Sequence, residues 1–243
     1  NLKKYHVFSI KDYKKINENN VNINLPYNYS ELFIRYNEEY HFKKKKFLDL
    51  SFFIYENATL IAFIPLTISK DSDKFNISSQ GQDIISPYFF NKDNRLHTFE
   101  HIYNYYLELM KICKLKQIKI KENFSYNHTN YFNLFLMQKN LNIKITELGL
   151  INLSHEITDI KRHFRKSYKS LINKKYENFI IQSVDKNNNL EWNKFKDFHL
   201  MIANKKTRPD KTWEIQFEML NREEAYLFTI KEKNKLIGGT FVN

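Results

Sequence analysis

The stretch DLSFFIYENATLIAFIPLTI, Asp49 to Ile68, decides the architecture. Two apolar runs, Asp49 to Tyr55 and Leu60 to Ile68, flank Glu56-Asn57-Ala58-Thr59, a polar segment of the kind that turns a hairpin. Both runs are rich in β-branched and aromatic residues, which favour strands. Further on, Leu96, Phe99, Tyr103, Tyr106, Leu107 and Met110 recur every three to four residues and predict a helix over Arg95 to Cys113. A strand pair followed by a long amphipathic helix points to a mixed α/β fold with α+β-type sheets.

Working outward, Tyr5 to Ile10 alternates as a short strand, with a polar helix expected around Lys11 to Glu18. Tyr29-Ser30-Glu31 reads as a helix start, followed by Leu32, Phe33, Tyr36 and Tyr40 at helical spacing, and Lys43 to Lys46 as an exposed break. Ser78-Ser79-Gln80-Gly81-Gln82 and Ser86-Pro87-Tyr88 carry turn chemistry. After the long helix come a strand at Lys116 to Lys121, a helix around Thr129 to Lys139 and an alternating run over Lys144 to Leu153. These elements make a first unit over residues 1–153.

A second unit, residues 154–243, opens with a helix from Ile157 whose cap is Thr158 or Asp159. A strand over Phe179 to Val184 follows, then a helix marked by Trp192, Phe195, His199 and Ile202. After the turn Thr207-Arg208-Pro209-Asp210, with Thr212 as cap, comes a helix over Trp213 to Asn221. A hairpin of strands Ala225 to Lys231 and Leu236 to Val242 ends the sequence. Both units mix helices and strands in similar order, which points to a duplicated module.

Composition narrows the chemistry. The chain has 243 residues, 42% of them hydrophobic, enough to build a sizeable core and too apolar for a disordered chain. Its net charge is +12, so a polyanionic partner is one reading; heavy use of Lys, Asn and Ile from AT-rich coding is the other. One cysteine, Cys113, excludes an internal disulfide framework and a Cys-based zinc site, and its place at a helix end reads as packing. The longest apolar run, near Leu60 to Ile68, is too short to span a bilayer, and the first residues carry no apolar signal core, so a cytoplasmic protein is expected. Neither terminus reads as a natural chain end. No Gly-x-Gly-x-x-Gly, Gly-x-Ser-x-Gly or Walker-type loop occurs among the four glycines, which argues against dinucleotide and P-loop chemistry.

Two segments stand out as sites. From Ile160 to Tyr176 there is no acid, and on a helix Arg162, Arg165, Lys166 and Lys169 fall on one side. Such stacking is repulsive unless a phosphate or pyrophosphate offsets it; a solvated helix face is the alternative. The second segment runs from His199 to Gln216. There Pro209 pushes Arg208 out of helical geometry, so a loop can aim it into a cleft lined by Trp213 and Gln216; a core tryptophan beside a surface arginine is the alternative. His97 and His101 have a ligand-compatible spacing, but no third ligand is indicated and no metal is expected. Basic patches interleaved with aromatics can also hold single-stranded nucleic acid, yet most aromatics here fall at core periodicity.

The pattern Phe164-Arg165-Lys166-Ser167-Tyr168-Lys169-Ser170-Leu171-Ile172-Asn173, then Phe198-His199, Thr207-Arg208-Pro209 with Thr212-Trp213 and Gln216, Ala225-Tyr226-Leu227 and Leu236-Ile237-Gly238-Gly239 resembles the FemAB-like acyltransferases of the GNAT-like superfamily. The resemblance covers about Arg162 to Gly239. In the first unit, Gly81 and Ser86-Pro87-Tyr88 alone look like a loop of such a module.

The resemblance implies two tandem GNAT-like modules with a substrate cleft, the second module truncated at the C-terminus. It implies transfer of an acyl or aminoacyl group from a thioester or ester donor to an amine of a bacterial cell-envelope or surface-polysaccharide precursor. Acceptors would be a nucleotide-linked sugar or a peptidoglycan precursor, and no tightly bound cofactor is needed. The donor would be acyl-CoA or aminoacyl-tRNA. The extended helical arm of some tRNA-dependent members has no counterpart between Ile157 and Asn243, which favours a small donor. By the same resemblance Arg162, Arg165, Lys166, Lys169 and Arg208 would contact acceptor anions, with Trp213 and Gln216 shaping the cleft. A strand amide near Gly238-Gly239 would stabilise the oxyanion, and His199 or a water chain would take the proton. A non-catalytic nucleic-acid-binding or scaffold protein is the alternative.

Overall fold

The computed structural model describes residues 8–9, 25–42, 46–56, 59–90, 96–122, 131–139, 154–172 and 178–243. The expected helix over Lys11 to Glu18 and the alternating run Lys144 to Leu153 lie outside them. Strand β1 (Phe8–Ser9) precedes helix α1 (Glu31–Phe42). Ser30 starts that helix as expected, its Oγ accepting the Phe33 amide at 3.2 Å.

The apolar stretch Asp49–Ile68 is not one hairpin. It belongs to β2 (Lys46–Asp49), β3 (Phe52–Glu56), β4 (Thr59–Ile64) and β5 (Thr67–Asp71), and β6 (Lys74–Ser78) follows where no strand is expected from the sequence. The hairpin is present as the β3–β4 pair, but each run crosses from one sheet into another. The crossing sits at Ser51 and Leu66, where Ser51 Oγ accepts the Leu66 amide at 3.0 Å and the Leu50 amide donates to the Leu66 carbonyl at 2.8 Å. Pro65, with no N–H for a ladder, stands at the same bend. Two antiparallel sheets result, in the orders β1-β3-β4-β8 and β2-β5-β6, with β8 at Tyr88–Phe89. Strand β7 (Ile84–Ile85) pairs in parallel with β9 (Ile120–Lys121), so the expected strand over Lys116 to Lys121 shrinks to its last two residues.

Helices α2 (Leu96–Ile112) and α3 (Tyr131–Gln138) cover the first sheet. Phe99, Ile102, Tyr106 and Leu109 bury α2 on Phe52, Ile54, Ile61 and Ile64; of the residues whose spacing predicts the helix, Phe99 and Tyr106 are buried while Leu96 and Leu107 are exposed. The other face carries Phe53 and Phe63, ring centroids 4.5 Å apart, against Tyr29 and Ile34.

In the second half, the expected basic helix is two short ones, α4 (Ile157–Arg162) and α5 (Lys166–Ile172), broken at 163–165. Glu156, with no side-chain bond, occupies the cap position expected for Thr158 or Asp159. Strand β10 (Phe179–Ser183), helices α6 (Asn189–Ala203) and α7 (Asp210–Asn221), and the hairpin β11 (Tyr226–Glu232) and β12 (Lys235–Val242) complete the chain. Asn188 caps α6 by accepting the Glu191 amide at 3.1 Å. Pro209, not Thr212, is the cap residue of α7; buried Thr212 instead donates its hydroxyl to the Pro209 carbonyl at 2.6 Å. Strands β10, β11 and β12 form one antiparallel sheet, and Val184, Trp192, Phe195, Trp213, Leu220 and Leu227 pack beneath it.

The halves meet at α1 and α7. Leu32 of α1 is fully buried in a cluster with Ile215, Met219 and Ala225. Arg35–Glu218 at 3.1 Å and Lys211–Glu39 at 2.7 Å flank this joint. The architecture is thus mixed α/β with several small, mainly antiparallel sheets. No helix among the described residues is long and apolar enough to cross a membrane.

Candidate functional site

The turn before α7 ends in Pro209 and is tied by a Lys206–Asp210 ion pair. It folds Arg208 back over the first turn of α7, where Trp213 and Gln216, three residues apart, share a face. The Arg208 guanidinium carbon lies 3.9 Å from the centre of the Trp213 ring, a cation–π stack. Its NH1 donates to Gln216 Oε1 at 2.6 Å and approaches the Tyr36 hydroxyl at 3.4 Å. Gln216 is buried, so it holds the guanidinium in one orientation from below. Trp213 is at once a core anchor and the platform of the arginine, which unites the two readings of the sequence.

His199 comes from α6, where Trp192, Phe195 and His199 repeat along the helix face that meets Trp213. Its ring stands edge-to-face on Trp213 with centroids 5.1 Å apart. Nδ1 is buried with no hydrogen-bond partner among the described residues. Burial, reinforced by the Arg208 charge, holds its pKa below the usual histidine value, so the ring is neutral at pH 7 and able to accept a proton.

The residue that sequence reasoning missed is Tyr36. Its helical spacing reads as core, yet it is half-buried with its hydroxyl at Arg208, and its ring stacks on Tyr40 with centroids 5.9 Å apart. The neighbouring Asn37, buried on α1, accepts from Gln82 Nε2 at 2.9 Å and donates to the Phe33 carbonyl at 2.9 Å. That fixes the rotation of α1 and with it the position of Tyr36. Nothing local in the sequence pairs residue 36 with residue 208.

Of the sequence-predicted residues, His199, Arg208, Trp213 and Gln216 come together. Gly239 lies one ring away: a Cβ there would stand 3.0 Å from the Phe195 ring and 3.1 Å from the Phe228 carbonyl, so its lack of a side chain is what lets β12 close on α6. Gly238 faces open space, with only Ile230 at 3.9 Å. Among the described residues β12 bonds to β11 alone, so alternate amides point to a free sheet edge.

The basic segment stays apart. Arg162, Arg165 and Lys166 are exposed and Lys169 is half-buried, and none reaches Arg208 or His199 by a hydrogen bond or ion pair among the described residues. Arg162 pairs with Asp159 at 3.0 Å, and Lys169 Nζ donates to the Arg162 carbonyl at 2.8 Å across the break.

His97 and His101 are exposed on α2 with rings 4.8 Å apart, and no group of three His, Cys, Asp or Glu able to hold a metal occurs among the described residues. Cys113 is buried and its thiol pKa is raised by that burial, which suits packing rather than nucleophilic attack. Compared with protein-family models and with curated proteins, the chain matches none.

Proposed function

We propose that the protein is a FemAB-like acyltransferase of two GNAT-like modules, moving an acyl or aminoacyl group from a thioester or ester donor to the amine of a cytoplasmic cell-envelope or surface-sugar precursor. The observation that supports it best is the pairing of Arg208 and His199 on one buried indole. A fixed guanidinium orients an anionic acceptor, and a neutral imidazole beside it accepts the proton that an amine loses as it attacks a carbonyl. Orientation and an oxyanion-stabilising amide from β12 near Gly238 and Gly239 supply the rest. No covalent intermediate on the protein is required.

The test is transfer from acetyl-CoA and from an aminoacyl ester to an amino sugar nucleotide and to a peptidoglycan-precursor peptide, followed by product mass. Wild type forms the amide, and Arg208→Ala and His199→Gln lower turnover at least tenfold. Turnover unchanged in both variants removes these residues from the site.

A second reading, a non-catalytic nucleic-acid-binding protein, is favoured by the exposed cations Arg165 and Lys166. It requires oligonucleotide binding that falls steeply with salt, without amide formation.

A further inference from the structure

The joint between α1 and α7 carries more acid than base. Glu31 and Arg35 of α1 face Glu218 of α7 and Arg222 just after it, and Glu224 follows on the way to β11. Among the described residues, every ion pair of the two arginines runs to Glu31 or Glu218. Arg35 lies 3.7 Å from Glu31 and 3.1 Å from Glu218; Arg222 lies 4.0 Å from Glu31 and touches Glu218. Glu224 is the carboxylate left over.

Its surroundings favour the neutral acid. The hydroxyl of Ser30, just ahead of α1, donates to it, yet Oε2 is buried with no hydrogen-bond partner. Its neighbour in sequence, Ala225, is buried with Leu32, Ile215 and Met219, so the carboxyl stands beside the apolar contact that joins the halves. Burial raises its pKa above the ordinary glutamate value, and the Glu218 and Glu31 charges add to that, against the Arg222 charge and the Ser30 bond. Tyr27 also faces it, but burial keeps that hydroxyl protonated, where Asn243 donates to it and it donates to the Met219 sulfur at 3.8 Å.

We infer that the α1–α7 joint is proton-sensitive: it holds tightly over a protonated Glu224 and loosens when that carboxyl ionises. The folded chain keeps this proton more firmly than the unfolded chain does. The contribution to stability is therefore fully present below the ordinary value of about 4.3 and is lost as pH rises through the folded one. Tyr36 rides on α1 with its hydroxyl 3.4 Å from Arg208, so a looser joint also loosens the hold on that arginine.

Glu224→Gln, neutral and of the same shape, keeps the joint in its uncharged state at every pH. The comparison is made in full chains that both carry His199→Gln, which takes away the imidazole's own pH dependence. Thermal unfolding by circular dichroism is expected to place the Glu224→Gln chain several degrees above its parent at pH 7.5 and level with it at pH 4. Hydrogen exchange at pH 7.5 locates the effect: α1 amides slow at least about threefold in Glu224→Gln, and α2 amides slow less. A Tm difference that is the same at both pH values, a less stable Glu224→Gln chain at pH 7.5, or equal slowing in α1 and α2 overturns the inference.

Discussion

Leu32→Ala probes the joint on which the site depends. Leu32 is fully buried between α1 and α7, with Ile215, Met219 and Ala225 around it, and it lies one turn before Tyr36 on the same helix. Truncating a buried leucine costs about 2.7–5 kcal/mol, the lost transfer energy plus the residual cavity. For a chain of this size that lowers Tm by roughly 5–20 °C. Circular dichroism reports both halves, whereas the two tryptophans, Trp192 and Trp213, confine fluorescence to the second. If the joint couples the halves, both probes shift together by that amount. Leu107→Ala, at a 44% exposed position on α2, stays within about 0.5 kcal/mol of wild type. A fluorescence transition unmoved in Leu32→Ala would refute the coupling.

Gly239→Ala must displace the Phe195 ring or the strand and is expected to cost about 1–3 kcal/mol in urea unfolding, whereas Gly238→Ala, facing open space, is tolerated; equal effects would contradict the packing role. Because burial and Arg208 hold the folded His199 below its ordinary value, the unfolded chain takes up a proton that the folded chain refuses, so stability falls as pH drops below about 6.5 and is flat above it. His199→Gln removes that slope, and Arg208→Met raises the imidazole midpoint in an NMR titration; a lowered midpoint would reverse the assigned cause. Across the joint, a Glu39→Gln/Lys211→Met double-mutant cycle should give a coupling of about 0.2–1 kcal/mol that shrinks with salt, and a coupling above about 2 kcal/mol would mean that the pair is not the partly solvated contact described.

Local pattern made some elements legible and not others. The bounds of helix α2 were readable almost to the residue, since Phe99 and Tyr106 bury one stripe on one sheet, but the stripe itself was only half legible: Ile102 and Leu109 complete it, and Leu96 and Leu107 are exposed. The Asp49–Ile68 stretch was readable as strands but not as two sheets, since an apolar run looks the same whether it continues or bends. The bend depends on Ser51 bonding the Leu66 backbone, a contact between the two arms of the hairpin. The basic helix misled because spacing alone put its cations on one side, a stacking that repels. The helix instead breaks at 163–165, where Lys169 Nζ donates to the Arg162 carbonyl. In the site, the segment from His199 to Gln216 was readable because proline, arginine and tryptophan are neighbours in sequence. Tyr36 was not, since its partner lies 172 positions away.

The most direct test of the Arg208–His199–Trp213 site uses the indole N–H signals of the only two tryptophans, Trp192 and Trp213, assigned with Trp192→Phe. Titrated with acetate, a carboxylate of the kind an anionic acceptor offers Arg208, the Trp213 signal is expected to move progressively and more than that of Trp192, and the movement is lost in Arg208→Met. Signals that stay fixed at saturating acetate, or that move equally in Arg208→Met, would contradict an acceptor site on this indole.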